Sequence, residues 1–110
     1  MDGIELTQLR RGVLVACVLA LLEGEERYGY DLVNELSAAG LVASEGSVYP
    51  LLSRLRRDEL VATTWRESVS GPPRRYYSLT AGGERTLAAF RGAWGDFRSS
   101  VDTILEGTNQ

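Results

Sequence analysis

A mainly helical α+β domain is what this sequence predicts, on three observations. Four stretches carry apolar residues at the three-to-four-residue spacing of amphipathic helices. Between the third and the fourth lies a block with Thr63, Thr64, Tyr76 and Tyr77, residues suited to paired strands, interrupted by Gly71-Pro72-Pro73. At 110 residues the chain makes one compact domain, long enough to bury a core without disulfide or metal.

The first helix is expected to start at Thr7, an N-cap behind a loose arm of residues 1–6, and to run to about Glu23. Its apolar residues, among them Leu9, Val13, Leu14, Cys17 and Leu21, wrap most of the circumference. Such a helix is buried on more than one side, in a thick core or partly against another subunit. Gly24 ends it, and Glu25-Glu26-Arg27 make the turn. A second helix covers about residues 28–39, with Leu32, Val33 and Leu36 inward and Gly40 closing it. Leu41-Val42-Ala43 is short and apolar enough for a minimal strand.

Residues 44–58 form the third helix, with Ser44 as N-cap and Glu45 beside the N-terminal dipole. Val48, Leu51, Leu52 and Leu55 fall on one side, and Ser47, Tyr49, Ser53, Arg54, Arg56 and Arg57 on the other. That outer face holds no acid before Asp58. Pro50 removes a backbone donor, so it belongs near the helix start or at a slight kink. Strands at about 60–67 and 74–79 flank a turn at 68–73, with one of Tyr76 and Tyr77 inward and the other outward. Thr80 caps a last helix from 81 to about 106, whose first turn Gly82 and Gly83 weaken. The tail beyond it is expected to fray.

Helix, helix, helix, hairpin, helix, with the third helix basic, describes a winged helix-turn-helix. The expected parts are a two-stranded β wing and a long C-terminal dimerisation helix. Residues 1–80 would form the DNA-binding unit and residues 81–110 the dimerisation helix and tail. A net charge of −3 counts against nucleic acid until the charge is located. Residues 1–43 carry three arginines against seven acids, and residues 81–110 three against four. Residues 44–80 carry six against four, so the basic excess sits in the third helix and the hairpin. All twelve basic residues are arginine, whose fork suits guanine and phosphate.

Chemistry is limited by what is missing. With no histidine and one cysteine, Cys17, neither a zinc site nor a Ser-His or Cys-His pair can be assembled, so no enzyme activity, metal or other cofactor is expected. Cys17 lies in an apolar run and reads as a buried, inert thiol. The longest such run, residues 13–22, is about half of what a membrane span requires. The acidic N-terminus lacks the basic region of a signal peptide, so a cytoplasmic protein with no membrane partner is expected.

Several segments together resemble the PadR-like family of bacterial transcriptional regulators. They are Leu9-Arg10-Arg11-Gly12, Arg27-Tyr28-Gly29-Tyr30-Asp31-Leu32, Ser44-Glu45-Gly46-Ser47-Val48-Tyr49-Pro50-Leu51-Leu52 with Arg54-Leu55, and Gly71-Pro72-Pro73-Arg74-Arg75-Tyr76-Tyr77 running into Leu79-Thr80. The likeness spans residues 9–105, and the single helix after the wing is similar to the short branch of the family. The resemblance implies a winged-helix repressor that binds a palindromic operator in double-stranded DNA as a homodimer. By it, Ser47 and Tyr49 would reach base edges, Arg54 and Arg57 phosphates, and Arg74 and Arg75 the flanking backbone. Tyr28 or Tyr30 would offer a hydroxyl to a phosphate, with at least one of the two rings in the core.

In the last helix, Leu87, Phe90, Trp94, Phe97, Val101 and Ile104 keep the alternating spacing of a heptad seam. Its expected partners are the first helix and the same helix of a second subunit. Trp94 either packs across that dimer or, as in some small members of the family, helps sandwich a planar aromatic ligand with Phe90 and Phe97. Asp96 or Asp102 would then attract a cationic one. The function expected is a dimeric repressor released by a small-molecule effector; the alternative is a winged-helix adaptor that binds protein through the seam.

Overall fold

The computed structural model describes residues 4–42 and 45–107. Within them the chain runs α1 (Ile4–Leu21), β1 (Arg27–Tyr28), α2 (Gly29–Ala38), α3 (Val48–Arg57), β2 (Val61–Ser68), β3 (Gly71–Leu79) and α4 (Ala81–Leu105), with a 3-10 turn at Glu45–Ser47 leading into α3. The sheet is antiparallel in the order β1-β3-β2. Val18, Leu19, Leu22, Leu32, Leu36, Val48, Leu52 and Leu55 are the largest side chains closed from solvent, so the core lies where α1, α2 and α3 cross. Val61 and Tyr77 cover it from the sheet, and Leu87 from α4. Tyr77 points inward and Tyr76 outward, as strand alternation requires.

Several boundaries differ from the expectation, each for a physical reason. Helix α1 already includes Ile4 to Thr7, because Glu5, Leu6 and Gln8 are good helix formers and a threonine hydroxyl does not stop them. The Ser44 cap and Ala43 lie outside the described residues, and no strand forms at Leu41-Val42. The extra strand is Arg27-Tyr28, which pairs with Tyr77 and Tyr76. Two residues are too few to show alternation, and their partners are distant in sequence. The hairpin is tighter than expected: only Val69 and Ser70 lie outside the strands. Pro72 and Pro73 sit inside β3, where the register slips between the Arg66–Arg74 and Ser68–Gly71 pairs. Proline has no N–H to give a ladder, so the bulge is where the strand can hold two of them.

Pro50 follows the same logic. It is the third residue of α3, where backbone N–H groups have no intrahelical acceptor to lose. At the other end, the Leu60 N–H donates to the Leu55 carbonyl (2.9 Å) and the Glu59 N–H to that of Arg56 (3.0 Å), with Glu59 left-handed at φ 64°. This is a Schellman cap built on a residue other than glycine.

Helix α4 is docked onto that cap. The Thr80 hydroxyl donates to the Glu59 carbonyl (2.7 Å) and accepts from the Gly83 N–H (3.0 Å). The Thr80 N–H donates to the Leu60 carbonyl (3.2 Å). Gly83, expected only to weaken the helix, is buried where a Cβ would stand 2.2 Å from the Leu60 oxygen and 2.6 Å from Leu79 Cδ1. Past Leu87 the helix leaves the core. The radius of gyration is 16.2 Å and the long axis 59 Å, against about 13 Å for the radius of a compact chain of this size. Gly83→Ala should therefore lower stability by about 1–3 kcal/mol in chemical denaturation despite alanine's better helix propensity, because the atom it would press on is backbone.

Candidate nucleic-acid interface

The outer face of α3 holds Ser47, Tyr49, Ser53, Arg54, Arg56 and Arg57, all exposed. At about 100° per residue, Tyr49, Ser53 and Arg56 occupy one flank and Ser47 and Arg54 the other, with Arg57 between them. Among the described residues, the ion pairs take Arg27, Arg66 and Arg91, and none takes an arginine of α3. The field of these three guanidinium groups is thus uncompensated until Asp58 and Glu59 at the helix end.

Tyr49 is set by its neighbours. Gly29 opens α2 and is buried against the Tyr77 ring; a Cβ there would meet Tyr77 Cε1 at 3.1 Å and Tyr49 Cε1 at 3.5 Å. The first distance is tighter than a methyl group accepts without movement of the Tyr77 ring, and the second is ordinary contact, so Tyr49 lies against the start of α2 while 40% of it stays exposed. Neither Tyr28 nor Tyr30 enters the core, contrary to the expectation for at least one of them: Tyr28 is half-buried and Tyr30 exposed. They form a surface cluster, with Tyr28 centred 6.2 Å from Tyr30 and 5.7 Å from Tyr76. The cause is β1, which lifts Tyr28 onto the outer face of the sheet beside Tyr76.

The wing arginines separate. Adjacent strand residues point to opposite faces, so Arg74 lies over Tyr28 (4.7 Å to the ring centroid) and Arg75 over Trp65 (4.7 Å). Arg66 joins the Arg74 face, over Tyr76 at 5.0 Å and paired with Glu26. The sequence pattern does not single out Trp65 or Arg66. The alternation that carries Tyr76 outward is the signal that places Arg66 and Arg74 beside it.

A second concavity lies between α1 and α4. It is a groove of about 640 Å³ lined chiefly by Leu9, Val13, Phe90, Trp94, Phe97 and Val101, with Arg98 and Asp102 at its polar edge. Phe90 and Trp94 stack at 5.4 Å, and Trp94 and Phe97 lie 6.3 Å apart. Asp102 lines the groove and Asp96 does not. Of the heptad seam only Leu87 is buried; Phe97, Val101 and Ile104 are exposed. Glu23, at the end of α1, accepts two hydrogen bonds from Arg91 of α4 at 2.9 Å each, which holds its carboxyl below the usual range. Cys17, expected to be buried, is half-buried, because the circumference of α1 that it occupies is only partly covered; the burial it has still pushes its thiol up. No group of metal-ligating side chains occurs among the described residues, and none of their helices is long and apolar enough to cross a membrane.

Three helices, the last of them basic and exposed, followed by a β hairpin, define a winged helix-turn-helix. Residues 18–89 match the model of the transcriptional regulator PadR-like family. A PadR-like transcriptional regulator of Bacillus cereus is 40% identical with a TM-score of 0.81, over 91% of this chain and 98% of that one. A transcriptional regulator of Mycobacterium tuberculosis is 34% identical over 86 residues, 78% of this chain and 79% of the relative. Bacillus subtilis PadR, solved in complex with operator DNA, is 25% identical with a TM-score of 0.65, over 71% of this chain and 45% of that one. The chain belongs to the PadR-like family, whose members are transcriptional regulators and not enzymes.

Gly29→Ala trades a helix-propensity gain of up to about 1 kcal/mol against crowding of the Tyr77 ring. The unfolding midpoint should stay nearly unchanged, while the NMR ring resonances of Tyr77 shift. An unshifted Tyr77 ring would mean that Gly29 is not needed for its placement.

Proposed function

We propose that this chain is a homodimeric repressor that binds a palindromic operator and releases it when a small planar aromatic ligand enters between the subunits. The observation that carries the reading is the uncompensated arginine face of α3 with a cationic wing beside it. The operator complex of the Bacillus subtilis relative supports it. Ser47 and Tyr49 are the candidates for base edges, Arg54 and Arg57 for phosphates, and Arg74, Arg75 and Tyr28 for the flanking backbone. Residues 1–80 would read DNA and residues 81–110 pair the subunits, in the cytoplasm.

Dimerisation is supported by the seam, since Phe97, Val101 and Ile104 are large apolar side chains left exposed on one helix. A two-fold pair of α4 helices would enclose the groove and put Phe90, Trp94 and Phe97 of both subunits around one ligand. Asp102, at the groove edge, suits a cationic ligand better than Asp96 does. Release then requires that the ligand prefer one relative placement of the two recognition helices.

Retention on duplex DNA at low salt separates a repressor from a protein-binding adaptor. With about six to ten phosphates neutralised, affinity should fall by roughly 10³–10⁵ between about 50 and 200 mM salt. Arg54→Ala with Arg57→Ala should weaken binding to every sequence, whereas Tyr49→Phe or Ser47→Ala should alter sequence preference. A flat salt dependence would sink the contact set. For the seam, sedimentation should give a dimer for the parent and a monomer for Ile104→Glu. The parent's tryptophan fluorescence should be quenched by a planar cationic dye, and the monomeric variant should lose that quenching.

A further inference from the structure

Trp65 is a large aromatic side chain in the middle of the wing, 60% exposed, with no core to fill. The register sets Trp65 opposite Arg75 and Thr63 opposite Tyr77. These four share one face, and the burial of Tyr77 identifies it as the face on the side of the helices. Trp65 and Arg75 are therefore one step farther out on the side that carries α3, while Arg66 and Arg74 lie on the reverse. On the reverse, Glu26 pairs with Arg66. On the α3 side, no ion pair among the described residues takes Arg75, and its guanidinium carbon stands 4.7 Å over the indole.

We propose that Trp65 is a positioning residue for DNA binding: it holds the Arg75 guanidinium over its ring so that the terminal N–H donors reach a backbone phosphate beside the groove that α3 enters. This rests on the DNA-binding reading above and assigns the two wing arginines different tasks. The Arg75 Nε is buried, so the two terminal nitrogens are the end that a phosphate can take bidentately, with the ring supporting the guanidinium from one face. An arginine fixed in this way also loses less rotamer freedom on binding than one free in solvent.

The chain has two tryptophans, so the difference between the parent and Trp65→Phe isolates one of them. Both are titrated with a random-sequence duplex of about two helical turns, and affinity is followed against salt for these two and for Trp65→Ala, Arg75→Ala and Arg54→Ala with Arg57→Ala. The parent's fluorescence should change on binding and that of Trp65→Phe should not. Trp65→Ala should bind about three- to tenfold more weakly, with its salt slope reduced by about 0.9, as for Arg75→Ala. Trp65→Phe keeps a ring and should restore both affinity and slope. The melting midpoint of Trp65→Ala should match the parent's, since the ring covers no core. A parent that binds, an α3 double variant that does not, and a Trp65 that is silent and dispensable would overturn this inference alone. A parent that fails to bind duplex at low salt would overturn the DNA-binding reading and this inference with it.

Discussion

The backbone carbonyls of Glu59 and Leu60 join the half of the molecule that presents the basic helix to the half that projects from it. Thr80 grips both of them, one through its hydroxyl and one through its N–H. Gly83 brings the first turn of α4 against the Leu60 oxygen so closely that no side chain fits. The same Leu60 sends its N–H back to Leu55 of α3. The last turn of α3, the start of β2 and the first turn of α4 are therefore tied to one another through these two residues. Glu59 accepts a left-handed backbone there, at a cost of about 1–2 kcal/mol for a residue with a Cβ. The hydrogen bonds at its carbonyl and at its own N–H offset that cost.

Charge is distributed with a comparable economy. The chain is net acidic, yet four acids near the helical layer are occupied: Glu23 with Arg91, Glu25 and Glu35 with Arg27, and Glu26 with Arg66. Such surface pairs add little to stability. Their effect is on the field, because they neutralise negative charge between α2 and the wing, while the arginines of α3 enter no ion pair among the described residues. A polyanion senses that local field, screened beyond about 10 Å at moderate salt, and not the whole-chain balance.

Much of this was legible in the residues. The core side of α3, the Thr80 cap and the opposite facing of Tyr76 and Tyr77 all follow from local spacing, and local spacing is what a sequence displays; which of the two tyrosines turns inward does not. What was hidden depends on approach between distant segments. Nothing in Gly82-Gly83 tells that the second glycine meets a carbonyl from the end of α3, and read locally it only weakens a helix. Nothing in Arg27-Tyr28 announces a strand, because its partners lie about fifty residues on. The wing double proline reads as a turn until pairing shows that the turn is Val69-Ser70 and that the prolines fill a bulge. At the candidate interface, spacing put the α3 arginines on one exposed face but did not give the division between Arg74 and Arg75, which requires knowing which wing face the core occupies.

The joint at Thr80 bears on how a ligand in the seam would act at a distance. An effector shifts DNA affinity only by the difference in its affinity for two arrangements, and that difference must reach the recognition helices intact. A flexible linker between α4 and the winged helix would absorb it. Here there is no linker: Leu79 ends a strand, Thr80 is the cap and Ala81 begins the helix. A few degrees of rotation of α4 about the seam would be carried to α3 through the carbonyls of Glu59 and Leu60. In a two-fold dimer such a rotation changes the separation of two recognition helices that must match half-sites about 34 Å apart. If a ligand acts through the seam, the close contact at Gly83 would serve as the fulcrum, and the left-handed Glu59 would belong to the same joint.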